Sequence, residues 1–306
     1  EPDGKIIKVN FDVLKIPKKI NSSGFIEFAT ESSPVLVSID GGTVDFREIN
    51  VERSSSTSPF LLKTDLDLVI ISEKTRLHNF VGSFVQLNGF EGNFVALLNN
   101  QVEISGDVSD GGGALLTNIK SSKGGDALRS LGLLRGATGG ELSATFKASK
   151  EKAIYDGSLS IKNIRLKDAP VLADLLAATS IVGILEQLSG DGILFTDTVA
   201  EFVLEKRGLR LKSASAVGAS LGITMDGIFD REKNLIKMQG VISPMYVVNG
   251  MLLGKLFAPR QGEGLLGFNY VMDGSPEEPK ISINPLSLFT PGFFREIFRR
   301  PVGEFK

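Results

Sequence analysis

The stretch LRLKSASAVGASLGITMDGIFD, residues 209–230, decides the fold class. Leu209 and Leu211, then Ile223 and Met225, recur at alternate positions, the period of an extended strand with one face against hydrocarbon and the other against water or a second layer. Outward from there the same texture runs from Leu194 to Ile283. Leu235, Lys237 and Gln239 oppose Ile236 and Met238, and Leu266, Phe268, Tyr270 and Met272 alternate further on, with Gly, Asn and Asp at the joints. A chain of short alternating strands makes surface, so function is to be sought in what its apolar face touches.

Towards the N-terminus, Ile7, Val9, Phe11 and Val13 oppose Lys8, Asn10 and Asp12, a half-buried strand. Val35, Val37 and Ile39 run into Asp40-Gly41-Gly42, and Val44 and Phe46 alternate out of it. Glycine supplies the positive φ of a tight turn, so a hairpin is expected there. Leu62, Thr64, Leu66, Leu68 and Ile70 form the next strand, with Lys63, Asp65 and Asp67 on its other face. Asp65 and Asp67 are explained by the period of a solvated strand face, with no acid–base role. Phe80 to Glu91 and Phe94 to Gly106 continue the series.

Composition removes several function classes. The 306 residues, 42% of them hydrophobic, suffice for two ordinary domains or one large β architecture with a real core. A net charge of -2, from 34 basic and 36 acidic residues, creates no global field for nucleic acid or an acidic membrane. With no Cys there is no disulfide, thiolate nucleophile or sulfur metal site. The single His78 lies in Arg76-Leu77-His78-Asn79-Phe80 without spaced carboxylate partners, so it reads as structural, and neither cofactor nor metal is expected. The chain starts at Glu1 and shows no signal peptide. Its longest uncharged run, Met238 to Gly254, is broken by Pro244, Asn249 and Gly250, short of the roughly 20 apolar residues of a spanning helix. It therefore reads as an excised or processed piece whose membrane anchor is expected elsewhere.

At Gly124 the texture changes and a soft boundary is expected. Asp126 suits the cap of a short helix through Leu134, with Leu128 and Leu131 on one side, before strands resume at Leu142. Asp168-Ala169-Pro170 opens a helix, Asp as N-cap and Pro in the first turn. From Val171 to Leu188 the apolar residues change direction, with Leu172, Leu175 and Leu176 in the first half and Ile184, Leu185 and Leu188 in the second. A break is expected at Thr179, Ser180 or Gly183. A helix apolar on all sides is buried in protein or sits against lipid, and burial across a sheet is the preferred reading for its inner face.

A second apolar segment spans Met245 to Phe257. The literal fingerprint Gly262-Glu263-Gly264-Leu265-Leu266-Gly267 is rejected as a dinucleotide site because a strand, not a helix, is expected after it. Finally Thr290 and Pro291 start a helix with Phe293, Phe294, Ile297 and Phe298 on one face and Arg295, Arg299 and Arg300 on the other. Such a helix plugs the end of a β core or lies on an anionic bilayer; at about three turns it buries only modest area in lipid.

Several of these motifs in succession carry a family resemblance: Gly125-Asp126-Ala127-Leu128, Gly139-Gly140-Glu141-Leu142, Asp168-Ala169-Pro170, Gly218 to Thr224, Gly262-Glu263-Gly264, Asn284-Pro285-Leu286-Ser287 and Pro291-Gly292-Phe293. From about Lys123 to Pro301 the chain resembles the C-terminal region of AsmA-like proteins, the long YhdP type of Gram-negative bacteria. The resemblance implies a bridge-like lipid transporter of the periplasm, anchored in the inner membrane, whose long curled sheet shields acyl chains on the way to the outer membrane. Before Lys123 only the strand texture matches, and both the anchor and much of the expected length are missing.

The expected fold is mainly β: a long curled, mostly antiparallel sheet forming an open apolar groove, with a few short helices lining or capping one end. The organisation expected is an N-terminal β-groove segment at 1–122, the AsmA-like region at 123–301 and a tail at 302–306. The expected function is non-enzymatic transfer of phospholipid or another acyl-chain lipid; the alternative is a scaffold of envelope assembly with a closed β core. Lipid contact is expected at Leu66, Leu68, Ile70, Leu175, Leu176, Ile184, Leu185, Leu209, Leu211, Ile223, Met225, Phe268 and Tyr270. Membrane, outer-membrane or envelope-protein contact is expected at Phe293, Phe294, Ile297, Phe298, Arg295 and Arg299. Each lipid CH₂ taken out of water contributes about 0.8 kcal/mol, and 20 Phe against 3 Tyr and no Trp suit a dry lining.

Overall fold

Period-2 sequence becomes strand almost everywhere, and the strands pair mostly antiparallel with their sequence neighbours. The computed structural model describes residues 6–30, 33–48, 58–110, 114–149, 154–179, 182–244, 262–263 and 266–289. Two units emerge, Glu1–Ser122 with Ser130–Gly132, and Lys123–Arg129 with Leu133–Lys306.

The first unit is one open sheet of β1 (Lys8–Ile16), β2 (Ile20–Glu27), β3 (Val35–Asp45), β4 (Phe60–Ile70), β5 (Arg76–Gln86), β6 (Phe90–Leu98), β7 (Val102–Asp110) and β8 (Leu115–Ser121), each paired with the next. The exception to antiparallel pairing is β3 with β4, which run parallel. The hairpin expected at Asp40-Gly41-Gly42 is absent. β3 continues through both glycines as a bulge, at φ 69° and 79°, and Gly42 lies so close to Asn21 and Ser22 that no Cβ fits. The Gly42 N–H donates to Asp67 Oδ2 at 2.7 Å, so this carboxylate braces the bulge.

The second unit is built from β10 (Glu141–Ala148), β11 (Tyr155–Leu166), β12 (Ile193–Glu205), β13 (Gly208–Gly218), β14 (Leu221–Asp230), β15 (Leu235–Pro244), β16 (Phe268–Gly274) and β17 (Pro279–Asn284). These are again paired in order and antiparallel, with the two-residue β9 (Ala137–Thr138) against β11. A strand therefore does follow the 262–267 glycines. Helix α1 (Gly124–Ser130) is shorter than expected and holds Asp126 inside its first turn, where Oδ2 accepts the Gly139 N–H at 3.0 Å. Helices α2 (Pro170–Ala178) and α3 (Val182–Ser189) show the expected break, with Thr179 closing the first. The N-cap is Ala169, not Asp168. Asp168 adopts a left-handed φ of 48°, and no side chain caps the helix.

Apolar residues of α2 and α3 pack inward, Leu172, Leu175, Leu176 and Leu188 among them, with Leu176 and Leu188 at 0% exposure. Asp174, Glu186 and Gln187 face outward. The pair leans on β17 through α2 and on β12 through α3, so it covers the end of the sheet where β12 starts and β17 finishes.

Aromatic residues stand opposite glycines repeatedly across the strands: Phe11 opposite Gly24, Phe84 opposite Gly92, Phe94 between Gly82 and Gly106, Phe146 and Phe202 on either side of Gly157, and Tyr270 opposite Gly240. At Gly92, Gly106 and Gly157 the space of the missing Cβ is taken first by the ring of Phe84, Phe94 and Phe202, so these rings lean over the strand beside them. At Gly24 and Gly240 a strand carbonyl, that of Ser38 or Thr224, fills it, with the Phe11 ring or the Tyr270 hydroxyl next to it. Gly92→Val would drive a branched side chain into the Phe84 ring and the Ser83 carbonyl. A loss of about 1–3 kcal/mol is expected in urea unfolding, against a smaller change for an exposed glycine such as Gly183, around which nothing lies within 4 Å.

The turn between β14 and β15 is held by Asp230, whose carboxylate takes Arg207 Nη2 at 2.9 Å and the Lys233 N–H at 3.1 Å. Desolvation pushes this carboxyl upward, but the Lys233 N–H and Arg207 together outweigh it and leave the acid below the usual carboxylate range. A depressed folded value means stabilisation that is present above the unfolded value and lost as pH falls through the folded one. Asp230→Asn should therefore lower the unfolding midpoint at pH 7, and the gap to the wild type should close when both are melted in acid below the carboxylate range.

Candidate functional site

In the first unit two rows cross all eight strands on one face. Val9, Ile26, Val37, Leu62, Phe84, Gly92, Val108 and Thr117 form one, and Phe11, Gly24, Ile39, Thr64, Gly82, Phe94, Gly106 and Ile119 the other. The row between them on the opposite face reads Asn10, Phe25, Ser38, Lys63, Ser83, Asn93, Asp107 and Asn118. One face is thus hydrocarbon and the other largely polar. The apolar face is buried at Leu66, Val69, Phe94, Ala96, Val102 and Ile104, although no second sheet belongs to the unit among its described residues.

Phe80, Phe84, Phe90 and Phe94 tile the middle of this face. Ring centroids are 6.5 Å apart for Phe80–Phe84, 5.1 Å for Phe80–Phe94 and 5.8 Å for Phe84–Phe90, with planes within 24° of parallel. Hydroxyls around the apolar face turn to the backbone: Ser22 Oγ donates to the Gly41 carbonyl at 2.6 Å and Ser121 Oγ to the Glu103 carbonyl at 2.8 Å. The surface therefore has few polar handles.

The apolar face of the second unit is graded. At the helical end Ile161, Ile193, Phe195, Leu221 and Ile242 are at most 1% exposed. At the opposite end Tyr155 and Leu204 are each 39% exposed, and Leu209, Phe229, Ile236 and Met238 are half-buried. Strands β14 and β15 are buried on their second face as well, where Thr224, Asp226, Val241 and Ser243 lie, with Glu263 against them. Thr224 Oγ1 shares a 3.0 Å hydrogen bond with Glu263 Oε1 and accepts the Val241 N–H, while Gln239 Nε2 donates to Asp226 Oδ1 at 2.8 Å. Tyr270 reaches past Gly240 to donate to the Thr224 carbonyl at 2.8 Å. Burial, with a smaller contribution from the Asp226 charge, pushes its phenol far above the ordinary value.

The residues singled out from sequence divide into four groups. Leu66, Leu209, Leu211, Ile223, Met225, Phe268 and Tyr270 all stand on the apolar face of their unit. Leu175, Leu176 and Ile184 are buried in the helical plug, with Leu185 half-buried. Leu68 and Ile70 stand apart from Leu66: they pair with His78 and Arg76 on the opposite face, and Val69, 2% exposed and paired with Leu77, takes the inner place. The cause is a break of alternation at Asp67–Leu68, beside the Gly41-Gly42 bulge and the left-handed Asn79 at φ 50°. Phe293, Phe294, Arg295, Ile297, Phe298 and Arg299 lie outside the described residues, as does the segment from Met245 to Phe257.

Sequence reading missed the tiling by Phe80, Phe84, Phe90 and Phe94. The available signal was Gly82, Gly92 and Gly106, each a strand position that lacks a side chain where a neighbouring ring needs room. Two shallow depressions sit on polar faces, one at Ser143, Thr145, Ser158 and Ser160, the other at Ser38, Asp40, Lys63 and Asp65. Among the described residues no cluster of three or more His, Asp or Glu could hold a metal ion, and no helix is long and apolar enough to cross a membrane.

Comparison with protein-family models, with curated proteins and with solved structures found no match.

Proposed function

We propose that the chain is a non-enzymatic lipid-carrying module whose apolar sheet faces shelter the acyl tails of a phospholipid or related lipid. The observation that carries this reading is the row of Val9, Ile26, Val37, Leu62, Phe84 and Val108 on one face of the first unit. The row is half-buried or exposed, it has stacked phenylalanine rings at its centre, and no second sheet of that unit lies on it among the described residues. Its opposite face is polar enough to meet water. The half-exposed hydrocarbon at one end of the second unit, opposite the helical plug, offers a second place for a tail. Tails are held here by transfer out of water, at about 0.8 kcal/mol per CH₂, without a specific polar contact. The sequence resemblance to AsmA-like proteins points the same way and carries with it the periplasm as the site of action and phospholipid movement towards the outer membrane as the purpose.

A second reading, a scaffold with a self-filled β core, draws on the plug of the second unit, where Leu176, Leu188 and Ile193 have no exposed surface. The two readings part on occupancy. Native mass spectrometry of the purified protein should show adducts with phospholipid masses, and extraction should release them. Leu204→Arg combined with Leu209→Arg, and separately Phe84→Arg, should cut uptake of a fluorescent acyl-chain probe by about tenfold or more, equivalent to about 1.4 kcal/mol. Lipid-free protein together with unchanged probe uptake in folded variants sinks the proposal and leaves the scaffold standing.

A further inference from the structure

One end of the first unit gathers exposed hydrocarbon and positive charge. Ile16 closes β1, Phe46 follows β3 at the start of a short 3-10 turn (Phe46–Glu48), and Ile71 follows β4; they are 42, 43 and 45% exposed. Register brings these points to one place. Ile16 pairs with Ile20, the Asp45 N–H donates to the Lys19 carbonyl at 2.7 Å, and Asp45 pairs with Ile70, so the ends of β1, β3 and β4 lie beside the start of β2. Three strand spacings, roughly 14 Å, separate Ile16 from Ile71.

Lys15, Lys18, Lys19, Lys74 and Arg76 stand around them. All five are exposed, and none of their charged groups makes an ion pair among the described residues. Arg47 is held by Asp45 at 2.6 Å. Even with Glu48 and Glu73 counted against them, positive charge prevails here, although the whole chain carries -2. The opposite end of the unit is the contrast. Phe28, Leu87 and Leu115 are exposed there too, at 45, 52 and 37%, but Glu27 neutralises Lys8 at 2.9 Å, and Glu91 and Asp110 are exposed acids. Hydrocarbon is common to both ends, so charge distinguishes them.

A nucleic acid would satisfy the lysines and gain nothing from Ile16, Phe46 and Ile71. An anionic bilayer takes both: its headgroup boundary receives the apolar side chains, and each Lys or Arg near its surface adds about fivefold in affinity. We propose that this end of the first unit docks on an anionic bilayer, with Ile16, Phe46 and Ile71 entering the headgroup boundary and Lys15, Lys18, Lys19, Lys74 and Arg76 facing lipid phosphates. The strands then meet the membrane by their ends, which leaves the apolar sheet face clear of it. Docking of this kind needs no tail on that face, so it stands apart from the carriage proposed above.

The test is flotation of the intact chain with vesicles of phosphatidylcholine mixed with phosphatidylglycerol, and with vesicles of phosphatidylcholine alone. The chain should float with the first and not with the second, and added salt should weaken the association. Lys15→Gln, Lys18→Gln and Lys19→Gln combined should lower the affinity for the mixed vesicles by about tenfold or more, and Ile71→Ser by about threefold or more. Lys8→Gln, at the opposite end, should leave it unchanged. Uptake of the acyl-chain probe by the triple lysine variant should match that of the wild type, which separates a failure of docking from a failure of tail carriage. Equal flotation with both vesicles, flotation with neither, undiminished flotation of the triple lysine variant, or binding to a DNA duplex in preference to the mixed vesicles would each overturn the proposal.

Discussion

The pairing of an aromatic ring with a cross-strand glycine is the constraint on which the apolar faces depend. An aromatic side chain standing upright on a sheet would project into the space above it and demand a second layer of complementary shape. At Gly92, Gly106 and Gly157 the partner ring can instead lean into the place of the absent Cβ. Strand entropy is the cost, since glycine weakens a strand interior, and the ring contact offsets it by restoring the packing that the glycine gave up. Stacking among Phe80, Phe84, Phe90 and Phe94 extends the same arrangement along and between neighbouring strands.

The second determinant is phase. Any strand whose alternation is unbroken can be read directly, and Phe268, Tyr270 and Met272, or Ile236 and Met238, fall where their period puts them. A bulge inverts everything beyond it, because one extra residue moves the following side chains to the other face. Leu66 and Val69 share a face for that reason, and so do Ile161 and Ile164 around the left-handed Asn163 at φ 59°. Gly41-Gly42 and Asn79 carry the local signal, but a glycine pair suits both a hairpin and a bulge. Only the long-range parallel partner β4, with Asp67 on the Gly42 N–H, decides between them.

This explains how much of the molecule was legible in the chain. The strand-rich class, the break after Ala178 and the strand after Gly267 follow from local periodicity and turn chemistry. The N-cap at Ala169 did not, since Asp168 is diverted into a left-handed link whose N–H donates to the Leu188 carbonyl at 3.3 Å. Nor did the tiled surface, because a ring and the glycine beneath it stand on different strands and meet only through register.

Burial then separates two uses of similar hydrocarbon. In the helical plug Leu175, Leu176 and Leu188 meet side chains from strands already in place, and nothing is left over for a ligand. In the first unit Leu66, Val69, Val102 and Ile104 are buried as well, but the row of Val9, Ile26, Val37, Leu62, Phe84 and Val108 is half-buried or exposed. At the end of the second unit Tyr155 and Leu204 are exposed, so apolar area remains in both places. Water contact there is unfavourable by roughly 25 cal/mol per Å² of apolar surface, which gives any flexible hydrocarbon tail a reason to lie down on it. Ser22, Ser121 and Tyr270 spend their hydroxyls on backbone carbonyls, so on the reading proposed above a lipid headgroup would find few partners there and would stay in water at the strand ends. On that reading the attraction would come from transfer out of water alone, with no specific polar contact to fix a tail at one position, so a tail would be retained and still be able to slide.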